Sequence, residues 1–275
     1  MAVKRAPKTS QDVLRVVPLG GIGEIGKNMT VFEFADQVIV VDCGLAFPEE
    51  EMYGIDIVIP DIAYLRELRE QVTAFVITHA HEDHIGALPY VLPDFPGVPV
   101  YASTLARGLI SNKIKEHKLR NNPLKALEPG DTVELGNFDV TAFRIGHSIP
   151  DAMGMRIRTP FGDIVHTGDF KFDQTPVDGK PADFQDIAAF GVEGVLCLMS
   201  DSTRAEVPGY TPSERTVGEA FHDIMEGLEG RVIVATFASN IARVQQVFEA
   251  SETFGRKAAV LGRSMEQNTR IAQDL

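Results

Sequence analysis

A chain of 275 residues, 44% hydrophobic, with 24 glycines and 16 prolines, has room for one large globular domain or two small ones. No window of about 18 apolar residues occurs, which excludes a membrane-spanning helix. The formal net charge of −13 argues against binding nucleic acid through a globally basic surface, but it leaves room for a local basic groove or for carboxylates offset by bound cations.

In chain order, residues 1–12 are basic and lack an apolar core segment, so they read as a disordered tail and not as a secretory signal. Val13 to Leu19 reads as a strand. The loop Gly20-Gly21-Ile22-Gly23-Glu24-Ile25-Gly26-Lys27-Asn28 follows and satisfies GxGxxG over 21–26. A dinucleotide fingerprint needs a helix next, so that the pyrophosphate meets a helix N-terminus. Two strands come instead, Met29 to Phe34 and Val38 to Asp42, around a turn at 35–37. The glycines therefore read as a loop passing closely over a site. Asp42 closes the third strand, where a carboxylate often caps a turn. Cys43 and Cys197 sit in or beside apolar runs without metal spacing, and read as buried free thiols of a reducing cytoplasm. Asp61 to Glu70 has helical spacing, with Asp61 as cap.

The run Thr73-Ala74-Phe75-Val76-Ile77 reads as a buried strand, and it ends in Thr78-His79-Ala80-His81-Glu82-Asp83-His84. Charged and polar groups crowded at the end of a buried strand need partners. Side chains at i and i+2 of an extended segment point the same way, so His79 and His81 can grip one metal ion. Asp83 and His84 lie where the chain turns into a helix and could reach a second ion beside the first. Imidazole with carboxylate suits zinc, manganese or iron.

A helix is expected around Ile85 to Leu92, a short strand over 98–102, and a helix capped by Ser103 that runs to about Lys118. Arg107, Lys113, Lys115, Lys118 and Arg120 form a basic cluster there, either a solvated helix face or a local groove. Two hairpins follow. Thr132 to Leu135 with Phe138 to Ile145 delivers His147, and Met153 to Thr159 with Asp163 to Thr167 delivers Asp169. His166 reads as a core residue or as a support behind the ligands, while His117 and His222 read as structural or exposed. Beyond residue 190 the pattern becomes βαβα with parallel-sheet character: strands over 194–199, 231–235 and 257–261, and helices over 213–228, 239–251 and from about 264. Ser239, Asn240, Arg263 and Ser264 sit at the starts of these helices, as phosphate contacts or as ordinary caps.

The motif His79-Ala80-His81-Glu82-Asp83-His84 matches the HxHxDH signature of the metallo-β-lactamase superfamily. Met199-Ser200-Asp201-Ser202-Thr203, Ala235 to Asn240 and Gly262-Arg263-Ser264-Met265 resemble the β-CASP group of that superfamily. Together with the glycine loop and Gly146-His147-Ser148-Ile149-Pro150-Asp151, they make the chain similar to the bacterial ribonuclease J family from about residue 12 onward. The resemblance implies an α/β fold: a metallo-β-lactamase αββα sandwich over 13–205, then the start of a β-CASP domain over 206–275. It implies that His79, His81 and His147 bind one divalent ion, and that Asp83 and His84 bind a second with Asp169 bridging. Zinc is the first choice and manganese the alternative. Asp83, His84 and Asp169 become the catalytic groups. Asp42 and Asp201, the latter on the first acidic β-CASP motif, support the ligands from behind.

The implied activity is metal-dependent hydrolysis of single-stranded RNA, both endonucleolytic and 5′-to-3′, with a preference for a 5′-monophosphate, in cytoplasmic RNA processing and mRNA decay. Two ions would supply the charge neutralisation and water activation that this reaction needs. For the full-length family the resemblance implies a homodimer or tetramer. The family also has a late histidine and a Ser-Gly-His-Ala-type phosphate loop, whereas no histidine follows His222 here. The resemblance thus implies an N-terminal portion whose second metal site is short of one ligand. Two other readings are a small-molecule hydrolase, such as a thioesterase or lactonase, and a non-catalytic fragment that binds metal, RNA or a partner.

Overall fold

The computed structural model describes residues 13–119 and 121–274, so the expected tail over 1–12 and Arg120 of the basic cluster lie outside the described residues. Two mixed sheets face each other. The first has the order β1-β2-β3-β4-β5-β6: β1 (Leu14–Gly20), β2 (Met29–Phe34), β3 (Gln37–Val41), β4 (Val72–Val76), β5 (Val100–Ala102) and β6 (Leu124–Ala126). The second has the order β11-β10-β9-β8-β7: β7 (Thr132–Leu135), β8 (Phe138–Arg144), β9 (Met153–Thr159), β10 (Gly162–His166) and β11 (Val195–Met199). Hairpin-connected neighbours pair antiparallel, while β3 to β6 run parallel and β11 pairs parallel with β10.

Period-two alternation decides which side chains enter which layer. In β2 and β3, Phe32, Phe34, Ile39 and Val41 point between the sheets, where they meet Phe138, Val140, Met153, Met155 and Ile157. Their alternates Met29, Val31, Val38 and Val40 point the other way. There they pack under α1 (Ala63–Glu67), α2 (Glu82–Ile85), α3 (Leu88–Val91) and α4 (Thr104–Glu116). On the far side of the second sheet, Phe143, Ile145 and Val165 meet Phe190 of α5 (Phe184–Glu193). The result is the expected αββα sandwich. Three helices follow, α6 (Arg215–Met225), α7 (Ile241–Thr253) and α8 (Arg263–Asp274), and α8 packs back on α4 through Ile271 and Ala272.

Several expectations need correcting. Residues 231–235 and 257–261 form no ladder among the described residues, because β-branched propensity gives a strand only where a partner supplies hydrogen bonds. The helix expected over 85–92 is two short helices and begins earlier, at Glu82. Asp61 accepts a hydrogen bond from the Ala63 N–H at 2.9 Å, yet Ile62 occupies the cap position of α1. Strand β6 and helix α5 were not expected. Cys197 is exposed, not buried: nothing among the described residues covers the faces of the edge strand β11, and four of its five residues are exposed. Cys43 is buried as expected. After Gly20 the chain loops directly into β2 with no helix, which agrees with discarding the dinucleotide reading.

Candidate metal centre

The centre lies where β4, the β8–β9 connection and the segment after β10 end on one side of the sandwich. Beyond β4 the chain passes through Thr78 and His79 to His81, which precedes α2 in an extended conformation at ψ 154°. The first three imidazoles converge. His79 Nε2 and His147 Nε2 each lie 3.0 Å from His81 Nδ1, and all three atoms fall within 4.8 Å of one another. A second convergent set contains His79, His84 and Asp169. Asp169 faces both sets, with Oδ1 3.4 Å from His84 Nε2 and Oδ2 3.8 Å from His147 Nε2. Asp83 stands 3.6 Å from His84 Nε2. The tightest second set therefore holds His79 where the sequence suggested Asp83, whose carboxylate also meets the side-chain amide of Asn28 at 3.4 Å.

Behind these atoms, Asp42 organises the rings. Its carboxylate is 1% exposed and accepts from the Thr78 N–H at 2.8 Å and from the Thr78 hydroxyl at 2.8 Å. His84 Nδ1 lies 2.7 Å from Asp42 Oδ2 and donates to it, which turns Nε2 toward Asp169 and the centre. The Thr78 hydroxyl, having given its proton to Asp42, accepts from His79 Nδ1 at 3.1 Å and leaves His79 Nε2 with its lone pair toward the centre. Asp42 is held at φ 61°, a backbone state that non-glycine residues rarely adopt.

Electrostatics follow from burial and neighbours. Burial holds His79 well below the usual imidazole range and pushes His81 down to about 3, and neighbouring imidazoles add to both effects. Burial also lowers His147, against the pull of Asp169. For His84, burial opposes the charge, but Asp42 and Asp169 outweigh it and raise its pKa well above the ordinary value. Burial raises the Asp83 carboxyl. It works the same way on Asp169, where the hydrogen bond and charge of His84 win and hold the carboxylate ionised. Three imidazoles kept neutral by burial, His79, His81 and His147, beside His84 and the ionised Asp169 have the donor chemistry of a divalent-metal site.

The remaining sequence-predicted residues fall around this centre. Asp201 accepts from the Thr203 N–H at 2.7 Å and lies 3.4 Å from the Phe170 N–H, next to Asp169. His166 Nδ1 accepts from the Gly168 N–H at 3.1 Å, so it holds the turn that carries Asp169. A cleft of about 680 Å³ opens beside the centre and is lined by His81 and Asp83 together with Ser239, Asn240, Arg263 and Ser264. Asn240 also caps α7, since its side chain accepts from the Arg243 N–H. Of the basic cluster, Lys113 lines the cleft and pairs with Glu82 at 2.8 Å, while Lys115 and Lys118 are exposed. His117 is exposed beside Tyr90, and the His222 ring lies tilted against Phe254 with centroids 5.6 Å apart.

Sequence reasoning missed Thr78, Asn28 and Gly44. Asn28 closes the glycine loop, and its amide reaches His84 Nε2 at 3.2 Å. A Cβ on Gly44 would lie 1.5 Å from the Asp83 carbonyl oxygen, so only glycine lets the segment after Asp42 run against the metal loop. The adjacency of Thr78 to His79 was visible, but not its hydrogen bond to a residue 36 positions earlier.

Residues 22–207 match the metallo-beta-lactamase superfamily model, and residues 229–275 match the ribonuclease J beta-CASP domain model. The chain is 50% identical to ribonuclease J of Thermus thermophilus over 272 residues, covering 96% of this chain and 48% of that one. It is 51% identical to ribonuclease J 1 of Streptococcus pyogenes over 253 residues, covering 92% and 45%. The chain thus spans just under half the length of these relatives. Among solved structures, a protein of unknown function from Enterococcus faecalis shares the fold at a TM-score of 0.66 and 18% identity, over 94% of this chain and 72% of that one. The chain belongs to the metallo-β-lactamase superfamily, and over nearly its whole length it is similar to ribonuclease J.

Proposed function

We propose that this chain carries the metal centre and substrate cleft of a metal-dependent ribonuclease that hydrolyses phosphodiesters of single-stranded RNA. The observation that carries this reading is the shared cleft. His81 and Asp83 of the imidazole and carboxylate cluster line it together with polar groups suited to phosphate, Ser239, Asn240, Arg263 and Ser264. The relatives' name, ribonuclease J, points the same way.

In this reading His79, His81 and His147 would hold one divalent ion. Asp83 and His84 would hold a second, because the free nitrogen of His79 serves the first, and Asp169 would contribute to both. Zinc fits the three-imidazole set first and manganese second. Bound divalent ions supply charge neutralisation at the phosphate and an activated water. The chain's own residues do the rest. The Arg263 guanidinium, with its planar fork of donors, suits a phosphate oxygen pair. The N-terminal turns of α7 and α8 add backbone N–H donors beside Ser239 and Ser264. Asp169, kept ionised, orients the reacting water and accepts its proton at a carboxylate oxygen. Asp83, whose carboxyl is raised by burial, is placed to pass a proton on. Asp42 and Asp201 keep these groups in position. Domains divide near residue 206. The expected setting is cytoplasmic RNA processing and decay, with endonucleolytic and 5′-to-3′ cutting, preference for a 5′-monophosphate, and homodimeric or tetrameric assembly. No helix among the described residues is long and apolar enough to cross a membrane.

The test is cleavage of a 5′-monophosphorylated single-stranded RNA by the purified chain, with and without chelator, beside a thioester control. Chelator-sensitive RNA cleavage supports the reading. Thioester turnover without RNA cleavage would replace it with a small-molecule hydrolase, and tight RNA binding without turnover would replace it with a binding role.

A further inference from the structure

One residue joins the segment after Asp169 to helix α7, and with Gly146, His147, Lys171 and Asp173 it lines a smaller cavity of about 140 Å³. Glu214, the cap of α6, uses every polar group it has. Its N–H donates to Asp173 Oδ2 at 3.0 Å and its carbonyl accepts from the Gln246 side chain at 2.7 Å. One carboxylate oxygen takes Arg243 Nη2 at 2.6 Å, and the other faces Lys171 Nζ at 3.6 Å. Asp173 further accepts from the Ser213 hydroxyl at 2.9 Å, and Gln246 is 4% exposed.

One set of contacts leads to the metal centre and the other to the cleft. Lys171 follows Asp169 by two residues, and its N–H donates at 2.7 Å to the carbonyl of Gly146, next to His147. A Cβ on Gly146 would lie 2.6 Å from the Lys171 carbonyl oxygen, so the two loops are in close backbone contact. In the other direction, the Arg243 N–H donates to the Asn240 side chain at 3.1 Å, in the turn that also carries Ser239. An isolated surface ion pair contributes little. Here four contacts from two segments, the loop at 171–173 and helix α7, converge on one side chain and its backbone, and together they fix a position. Helix α6 does not line the cleft, so the proposed ribonuclease chemistry leaves this joint without a role.

We propose that Glu214 is a positioning residue that sets the distance between the ligand loops carrying His147 and Asp169 and the phosphate-facing turn at Ser239 and Asn240. This rests on the ribonuclease reading for its consequence, since a long RNA must touch the metal centre and that turn at once. A small phosphodiester needs only the metal centre.

Glu214→Gln tests this directly, because it keeps both backbone bonds and the side-chain shape but removes the charge. Arg243→Met makes the same break from the other end. Hydrogen exchange of the whole chain, read by mass spectrometry with and without zinc, gives a readout independent of turnover. In the parent, zinc is expected to slow exchange both at 146–148 and at 239–244. In either variant it is expected to slow only the first. RNA cleavage should fall roughly ten- to a hundredfold, the scale of loss from a misplaced positioning group. Hydrolysis of bis(p-nitrophenyl) phosphate should stay at the parent rate. Equal zinc protection of 239–244 in parent and variants would overturn the proposal, as would an equal loss on both substrates. If the parent cleaves no RNA, the ribonuclease reading fails, and the exchange comparison still decides the role of Glu214.

Discussion

Asp42 Oδ2 lies 2.7 Å from His84 Nδ1, and that contact decides which nitrogen of His84 faces the centre. The same carboxylate takes the Thr78 hydroxyl, which in turn fixes His79. One aspartate thereby sets the tautomers of two rings. Asp42→Asn should lower zinc affinity by about 10- to 100-fold, the usual cost of losing such a support, most at the ion held by His84, which Asp42 contacts directly, and less at the ion held by His79, His81 and His147, which it reaches through Thr78. Isothermal titration with zinc checks this, and unchanged affinity at both positions would contradict it.

Gly44 is the second constraint on the metal loop. Cys43 N–H donates to the His84 carbonyl at 2.8 Å and Leu45 N–H to the Glu82 carbonyl at 3.0 Å, so the two backbones are zipped together around Gly44. Gly44→Ala would force them apart and should cost at least ~1–3 kcal/mol of stability, the range for overpacking a filled site. Urea unfolding measures the loss. A variant as stable as the parent, with its metal affinity intact, would count against this packing.

The two cysteines should separate chemically. Cys197 is exposed on β11, whereas burial encloses the Cys43 thiol and raises its pKa. A thiol reagent should react with one group per native chain and with two after denaturation. Two fast-reacting thiols in the native chain would contradict the burial of Cys43.

His81 carries a pH signature. In the unfolded chain it takes up a proton near pH 6.5, but burial among other imidazoles delays this to about 3 in the folded chain. Between these values the unfolded state binds the extra proton, so metal-free stability should decline as pH falls below about 6.5. His84, with its pKa raised, acts in the opposite sense: its contribution is present at low pH and is lost as pH rises through its folded value. His81→Gln removes the first effect alone. Its stability should therefore change less than the parent's between pH 7.5 and 5 in urea titrations. Parallel pH profiles would show that the His81 shift is absent.

The chemistry of 73–86 was legible because it is local. A β-branched run followed by histidines at i and i+2 carries its geometry in the backbone period, and β4 with its three histidines lies where that period places it. The hairpins that deliver His147 and Asp169 were legible from their turns at Gly136-Asn137 and Pro160-Phe161-Gly162. What stayed hidden depends on distant partners. Thr78 gains its role from Asp42, and Asn28 from a loop 55 residues away. The apolar run of β11 reads as buried, but it lies at a sheet edge, a fact of topology and not of composition. Residues 231–235 have strand propensity but no ladder, for the same reason.

Metal content of the purified chain and of His81→Ala, measured by elemental analysis beside cleavage of a 5′-monophosphorylated RNA, tests the account most directly. The account predicts up to two zinc or manganese ions per parent chain, RNA cleavage that a chelator abolishes, and loss of both an ion and the cleavage in His81→Ala. RNA cleavage by metal-free protein, or a variant that keeps its full metal content, would contradict it.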